Sequence, residues 1–176
     1  MPNGKYAKRL KVLLARDKHF QSVLNRAIEE TFAALMEIKI ETKDGFIYNE
    51  GNFIEEVALA ANVGVFTLEF SGNIILAFPK ATFLGFCTKL GNDVSHDEIK
   101  PELIDTALEI LNIALGIAKT RLNEDERFEM ASTIPTALVG KDLSCFTQNS
   151  EPIFVVPYES EFGRFFSFSV FGLNDD

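Results

Sequence analysis

The sequence predicts an α+β domain with helices gathered on a largely antiparallel sheet. Three observations carry that prediction. Two long stretches, 20–36 and 101–122, repeat apolar residues at the 3.6-residue helical period. Three stretches, 63–78, 153–158 and 165–171, carry apolar runs or two-residue alternation bounded by turn residues. Helices and strands come in separate groups rather than in regular strand–helix alternation, which disfavours a parallel sheet.

Residues 5–18 place Tyr6, Leu10, Leu13 and Leu14 at i, i+4, i+7 and i+8 with basic residues between them. This is an amphipathic helix with a basic face. Packing on its own domain or on a neighbouring subunit is the favoured reading, and a docking or membrane-surface helix is the alternative. Phe20, Val23, Leu24, Ala27, Ile28, Thr31, Phe32 and Leu35 continue as a stronger helix to residue 36. Ile38–Thr42 alternates, and Lys43-Asp44-Gly45 reads as a turn. Asn49, Gly51 and Asn52 favour a loop. Residues 55–79 read as a hairpin whose turn is Ser71-Gly72-Asn73, with Ile74–Phe78 as its second strand. Residues 80–90 form a short helix closed by Gly91. Pro101 opens the longest helix at a position where a missing N–H does no harm. Phe128–Val139 is a strand whose Pro135 implies an edge, a bulge or a strand end. Gly140-Lys141-Asp142 turns the chain into the last two strands, Ile153–Tyr158 and Phe165–Phe171. In the last strand Phe166, Phe168 and Val170 face one way, and Phe165, Ser167, Ser169 and Phe171 the other. With 17 phenylalanines in 176 residues, aromatic packing or a subunit interface is the expected use of that run.

The size suits one domain with a short appendage, residues 1–18 ahead of a body at 19–176. The net charge of −9 is divided unevenly: residues 1–18 carry +5 and residues 19–176 carry −14. So acidic a body excludes general nucleic-acid binding, which needs a basic surface. Cys87, Cys145, His19 and His96 are far apart in sequence and give no zinc-type spacing. Two thiols suit a reducing cytoplasm, although a disulfide between them stays open. No apolar run reaches the length of a membrane span or a signal-peptide core. The expected location is the cytoplasm.

The helix at 101–122 carries the functional argument. At 100° per residue, Ile104, Ala107, Leu111, Ala114, Leu115, Ala118 and Leu122 fill one sector, and Ile110, Ile113 and Ile117 a second. A narrow polar strip remains: Asp105, Glu109, Asn112, Gly116 and Lys119, with Leu108 on its border. A glycine inside an exposed helix face costs about 1 kcal/mol against alanine. It leaves a gap beside Asn112 that lets another chain approach closely. Asp105 and Glu109 are like charges at i, i+4, an unfavourable pair without a cation. The strip therefore reads as a contact surface suited to a positive partner group, set against the plainer reading of a solvent face.

The run Asp105-Thr-Ala-Leu-Glu109-Ile-Leu-Asn112-Ile-Ala-Leu-Gly116-Ile-Ala-Lys119 resembles the D-x-x-x-E-x-x-N-x-x-x-G-x-x-K helix of the CheC, CheX and FliY phosphatases of bacterial chemotaxis. The similarity is greatest to CheX. Phe128–Gly140 resembles the strand after that helix, and Val63–Pro79 the family's hairpin. The match runs from about residue 20 to 172. The family often has glycine before the glutamate, where this chain has Leu108. A single E-x-x-N is the CheX-type pattern; in the first helix Glu29 and Glu30 are followed three residues on by Phe32 and Ala33.

The resemblance implies a CheC-like fold and hydrolysis of the phosphoaspartate of a CheY-like response regulator. In that reading Asn112 orients the attacking water and Glu109 pairs with the regulator's active-site lysine. Gly116 permits close approach, Asp105 adds negative potential and Lys119 touches the regulator's rim. No cofactor is implied on this chain, because the regulator supplies Mg²⁺. Pairing of two copies through sheet edges is also implied, with the apolar C-terminal strand as the expected edge. Two alternatives remain: a non-catalytic domain binding a receiver, which Leu108 favours, and a structural flagellar component anchored by the basic helix.

Overall fold

The computed structural model describes residues 4–48, 55–68, 70–94, 98–124, 128–144 and 152–174, with the backbone alone for 4–17 and Leu173. Asn49, Gly51, Asn52, His96 and Cys145 lie outside the described residues. Helix α1 spans Gly4–Met36, α2 Lys80–Lys89 and α3 Pro101–Leu122. The strands are β1 Glu41–Thr42, β2 Phe46–Ile47, β3 Leu59–Phe66, β4 Phe70–Phe78, β5 Ala131–Ser132, β6 Thr136–Val139, β7 Ile153–Ser160 and β8 Gly163–Leu173. Every strand pairing is antiparallel, in the order β1-β7-β8-β4-β3-β5, with β2 also on β7 and β6 also on β3. The chain has the predicted α+β, largely antiparallel architecture.

The two helical periods before residue 36 merge. The backbone passes through residues 18 and 19 as one helix of 33 residues. Its buried stripe of Phe20, Leu24, Ala27, Ile28 and Phe32 packs on the sheet and on α3. The Ile38–Thr42 alternation holds in burial, with Ile38 and Ile40 inside and Lys39 and Glu41 outside, although only Glu41 and Thr42 join the ladder.

The hairpin turn is not at Ser71-Gly72-Asn73. Those residues lie inside β4, paired with Phe66, Val65 and Gly64 of β3. The chain instead reverses between Thr67 and Phe70, where Thr67 N–H donates to the Phe70 carbonyl at 2.9 Å and the Thr67 hydroxyl accepts from Phe70 N–H at 3.0 Å. A threonine side chain completes this turn, so no glycine marks it. Gly72 serves a different purpose: a Cβ there would collide with the Val170 carbonyl oxygen and the Phe171 ring of β8. It lets two strand backbones approach.

The predicted strand Phe128–Val139 is split at Pro135. Ser132 pairs with Val65 and Thr136 with Asn62, so three residues, 133–135, face two, 63–64. This is a β-bulge. Thr133 fastens it, donating its N–H to the Gly64 carbonyl and accepting Gly64 N–H on its hydroxyl, both at 2.9 Å. Strand β8 lies between β7 and β4 and is central. The expectation that the C-terminal strand offers a sheet edge is therefore wrong. Its apolar residues face cores on both sides.

Alternation along β8 divides two apolar clusters. Phe165 and Phe171 join the main core beneath the helices; Phe166 and Phe168 join a smaller cluster with Val57, Ala77, Ile153 and Val155 on the other face. The aromatic run is packing. Phe32 lies 4.9 Å from both Phe86 and Phe165 between ring centroids, and Tyr158 stacks on Phe165 at the same distance. The buried Tyr158 hydroxyl donates to Asn25 Oδ1 at 2.6 Å and lies 3.0 Å from Ser167 Oγ. Burial raises its pKa, so it stays a neutral donor.

Candidate functional site: the exposed strip of helix α3

Helix α3 begins as expected, with Pro101 in its first turn after an extended Lys100. Glu102 near its start and Lys119 and Arg121 near its end complement the helix dipole. After Leu122 the chain is fastened by Asn123, whose side-chain oxygen accepts Met130 N–H at 2.8 Å. Leu103, Ala107, Ile110, Leu111, Ala114, Leu115, Ala118 and Leu122 are buried, and Ile104, Leu108 and Ile117 pack partly against the same core. Burial on two sides holds the helix rigidly and fixes which face is left.

That face holds the predicted residues. Asp105, Glu109, Asn112 and Gly116 are exposed and Lys119 is half-buried. They follow one another along about 20 Å of one helix at 1.5 Å per residue. Gly116 is decisive for the surface's shape: a Cβ there would meet nothing within 4 Å. The glycine therefore accommodates no neighbour within its own chain, and the gap beside Asn112 opens outward. The Thr120 hydroxyl back-bonds to the Gly116 carbonyl at 3.0 Å, occupying an acceptor one turn on. Leu108 borders the strip half-buried, so much of its bulk is directed into the core.

The strip offers a carboxylate pair, an amide and a gap, and none of these residues lines a described pocket. Such a face can enter another protein's cleft, with the carboxylates attracting a cation and the amide orienting a small polar molecule. Among the described residues no group of three His, Cys, Asp or Glu could hold a metal ion.

Two further features bear on the site. Arg121 on α3 reaches Glu30 on α1 at 2.6 Å, and Arg26 reaches the same carboxylate at 3.2 Å. The Arg121 hydrogen bond, helped by the Arg121 charge and by the hydrogen bond and charge of Arg26, holds the Glu30 carboxyl below the usual range, against desolvation, which opposes it. Glu29 accepts the Thr42 hydroxyl at 2.5 Å. Glu29 and Glu30 are thus both engaged within the chain, and Phe32 is buried. Helix α1 presents no second copy of the strip. Sequence reasoning did not find the Arg121–Glu30 tie, because nothing local marks a pair 91 residues apart. Cys87 is a free thiol buried under α3. Burial pushes its pKa up to about 11, opposed by a hydrogen bond with Thr106, so it is an inert core residue.

The family model described as "Chemotaxis phosphatase CheX" matches residues 59–159, which include the strip, the bulged strand and the hairpin. The chain belongs to the CheX family. A comparison with curated proteins finds no match to its sequence. Among solved structures it resembles the CheX of Vibrio vulnificus, with a TM-score of 0.77, 18% identity, and coverage of 88% of this chain and 99% of that one. A CheC-like superfamily protein from a Shewanella species superposes with a TM-score of 0.75 at 16% identity, covering 87% and 97%. The CheX of Borrelia burgdorferi, solved in complex with CheY, BeF3 and Mg²⁺, gives 0.69 at 20% identity, covering 89% and 98%. At these identities the likeness establishes the CheC-like fold. No described helix is long and apolar enough to cross a membrane.

Proposed function

We propose that this CheX-family chain is a phosphatase for the phosphoaspartate of a CheY-like response regulator, with its chemistry on α3. The carrying observation is the exposed E-x-x-N pair of Glu109 and Asn112 beside a glycine whose missing side chain faces no atom of its own chain. The Borrelia CheX complex with CheY supports the choice of partner class. In this reading the strip enters the regulator's cleft. Glu109 pairs with the regulator's active-site lysine, and three-residue spacing brings Asn112 into the same cleft. The Asn112 amide, donor and acceptor in one group, fixes a water in line with the P–O bond. Water attacks phosphorus, the aspartyl oxygen leaves, and inorganic phosphate is released. An acyl phosphate is already reactive, so positioning supplies most of what the reaction lacks. Mg²⁺ comes with the regulator and neutralises the phosphoryl oxygens. Asp105 adds negative potential and Lys119 meets the regulator's rim. The reading places the protein in the cytoplasm, where such regulators work, and includes pairing of two copies.

The test is loss of phosphoaspartate from a phosphorylated CheY-like receiver domain with Mg²⁺, comparing wild type with Asn112→Ala. The expected result is acceleration by wild type and a loss of about 100-fold in the variant. An equal rate from both proteins overturns the reading. Leu108 on the strip's border favours one second reading, a non-catalytic domain that binds a receiver or another signalling protein. Receiver binding with an unchanged hydrolysis rate would identify it.

A further inference from the structure

Helix α1 leaves part of its side of the sheet uncovered. Phe20 packs on Phe171 near the end of β8 and Phe32 on Phe165 near its start, so the helix runs along β8. Helix α3 lies against α1 and reaches β3 on one side. On the other side the sheet continues through β7 to the two-residue strands β1 and β2. Between α1 and the turn that joins β1 to β2 lies a groove of about 690 Å³. That size is ordinary for a small-molecule site. Its floor is apolar: Phe154 and Val156, on the helix-facing side of β7. Gly45 lies against this floor, and a Cβ there would collide with the Phe154 ring. Glycine at 45 is what leaves room for the ring.

The α1 wall of the groove is polar, and part of it is buried. Gln21 and Asn25 line it one helical turn apart, and Gln21 is 5% exposed. Asn25 Oδ1 is taken by the Tyr158 hydroxyl, which leaves the amide nitrogen to donate elsewhere. Ser169 stands directly opposite Phe154 in the β7–β8 ladder, on the same face of the sheet. It is 2% exposed, and its Oγ has no hydrogen-bond partner. A buried hydroxyl left unpaired beside a groove calls for a reason, and a ligand is one. Charge is graded along the same wall. Lys18, exposed, stands at one end and makes no ion pair among the described residues. Glu29 stands about 16 Å further along the helix, and its carboxylate already accepts the Thr42 hydroxyl.

Donors and positive charge therefore gather at the Lys18 end, above an apolar floor. We infer that this groove binds a small organic carboxylate with an apolar body. Lys18 and the donors of Ser22 and Asn25 take the carboxylate, and Phe154 and Val156 carry the body. The groove and the α3 strip share no residue, so the inference stands whether or not the strip is catalytic.

The test is proton–nitrogen correlation NMR of the full chain, titrated with two carboxylates, octanoate and indole-3-acetate. Each is run beside its neutral amide, octanamide or indole-3-acetamide. The expected result is that at least one acid, at millimolar concentration, shifts the backbone amides of Lys18, Ser22, Asn25, Gly45 and Phe154. Octanoate alone would make the ligand a flexible chain, and indole-3-acetate alone a flat ring. The matching amide should bind about fivefold more weakly, the worth of one exposed charge pair. Lys18→Glu should weaken the acid by at least that factor and leave the amide unchanged. Ser22→Trp, which fills the groove from an exposed position, should abolish both. Dispersed spectra and a thermal melt show that each variant folds. The inference is overturned if neither acid shifts these amides, if the neutral amides bind as tightly as the acids, or if both variants bind like wild type. Shifts produced there by a polyglutamate peptide but by neither acid also overturn it, and make the groove a peptide contact.

Discussion

Gly116 is the residue at which the needs of folding and those of the proposed docking separate most cleanly. It sits in the interior of an exposed helix face, where alanine is better by about 0.5–1 kcal/mol. A Cβ there touches nothing in the chain. Gly116→Ala should therefore raise the melting temperature while weakening receiver binding, and Gly116→Leu should abolish binding without unfolding the protein. A thermal melt and a titration against the phosphorylated receiver check both halves. If Gly116→Leu binds the receiver as tightly as wild type, the strip is not the docking face. Gly72 makes the contrast. Its missing side chain is filled by the backbone of β8. Gly72→Ala should cost on the order of 1–3 kcal/mol, seen as a lower urea midpoint, because two paired strands would have to separate. The sequence places Gly116 on an exposed helix face, as the structure does, and Gly72 in a turn, where the structure has a strand. A glycine in a helical strip has few explanations, whereas Ser71-Gly72-Asn73 looks like a turn until the neighbouring strand is known. The real turn is closed by the Thr67 side chain, which leaves no signature in composition.

At the scale of elements, α3 was legible almost completely, because 22 residues of strong periodicity report both buried sectors and the strip between them. Short strands were legible only as alternation: Ile38–Thr42 has the right burial, but two residues of ladder. Pro135 signalled an irregularity whose form, a bulge against Gly64, depends on register with a distant strand. The polar tie between α3 and α1 was not legible at all. Arg121 and Glu30 are 39% exposed or less, so their pair is worth about 0.5–1 kcal/mol at most. Arg121→Ala should lower stability by that order at pH 7. Because the folded-state pKa of Glu30 is depressed, the stabilisation is present above the ordinary carboxylate range. It is lost as pH falls through the lowered value. Urea midpoints for wild type and Arg121→Ala should differ at pH 7 and converge in acid, once the pH is below the lowered Glu30 value. A difference that persists with Glu30 protonated would assign the effect to packing of the arginine stem.

The molecule as a whole divides its work between the two faces of one sheet. The helices, the main core and the α3 strip lie on one face. The Phe166 and Phe168 cluster on the other touches neither helix α1 nor α3 among the contacts that define it. Yet strands β4, β7 and β8 send alternate residues into both clusters, so losing either core loosens the strands that support the other. Stability should therefore be shared across the sheet while function stays on one side. Phe166, 2% exposed, tests this. Phe166→Leu should cost about 1.5 kcal/mol, and Phe166→Ala roughly 3–5 kcal/mol. Unfolding should remain a single transition whether followed by circular dichroism or by exposure of Cys87 to a thiol reagent, because that thiol sits in the opposite core. Below the melting temperature of Phe166→Leu, the receiver's dephosphorylation rate should equal that of wild type. Cys87 becoming reactive before the helical signal falls would show that the two clusters melt separately. A slower rate in folded Phe166→Leu would show that the far face tunes the geometry of α3, which its rigid burial on two sides argues against.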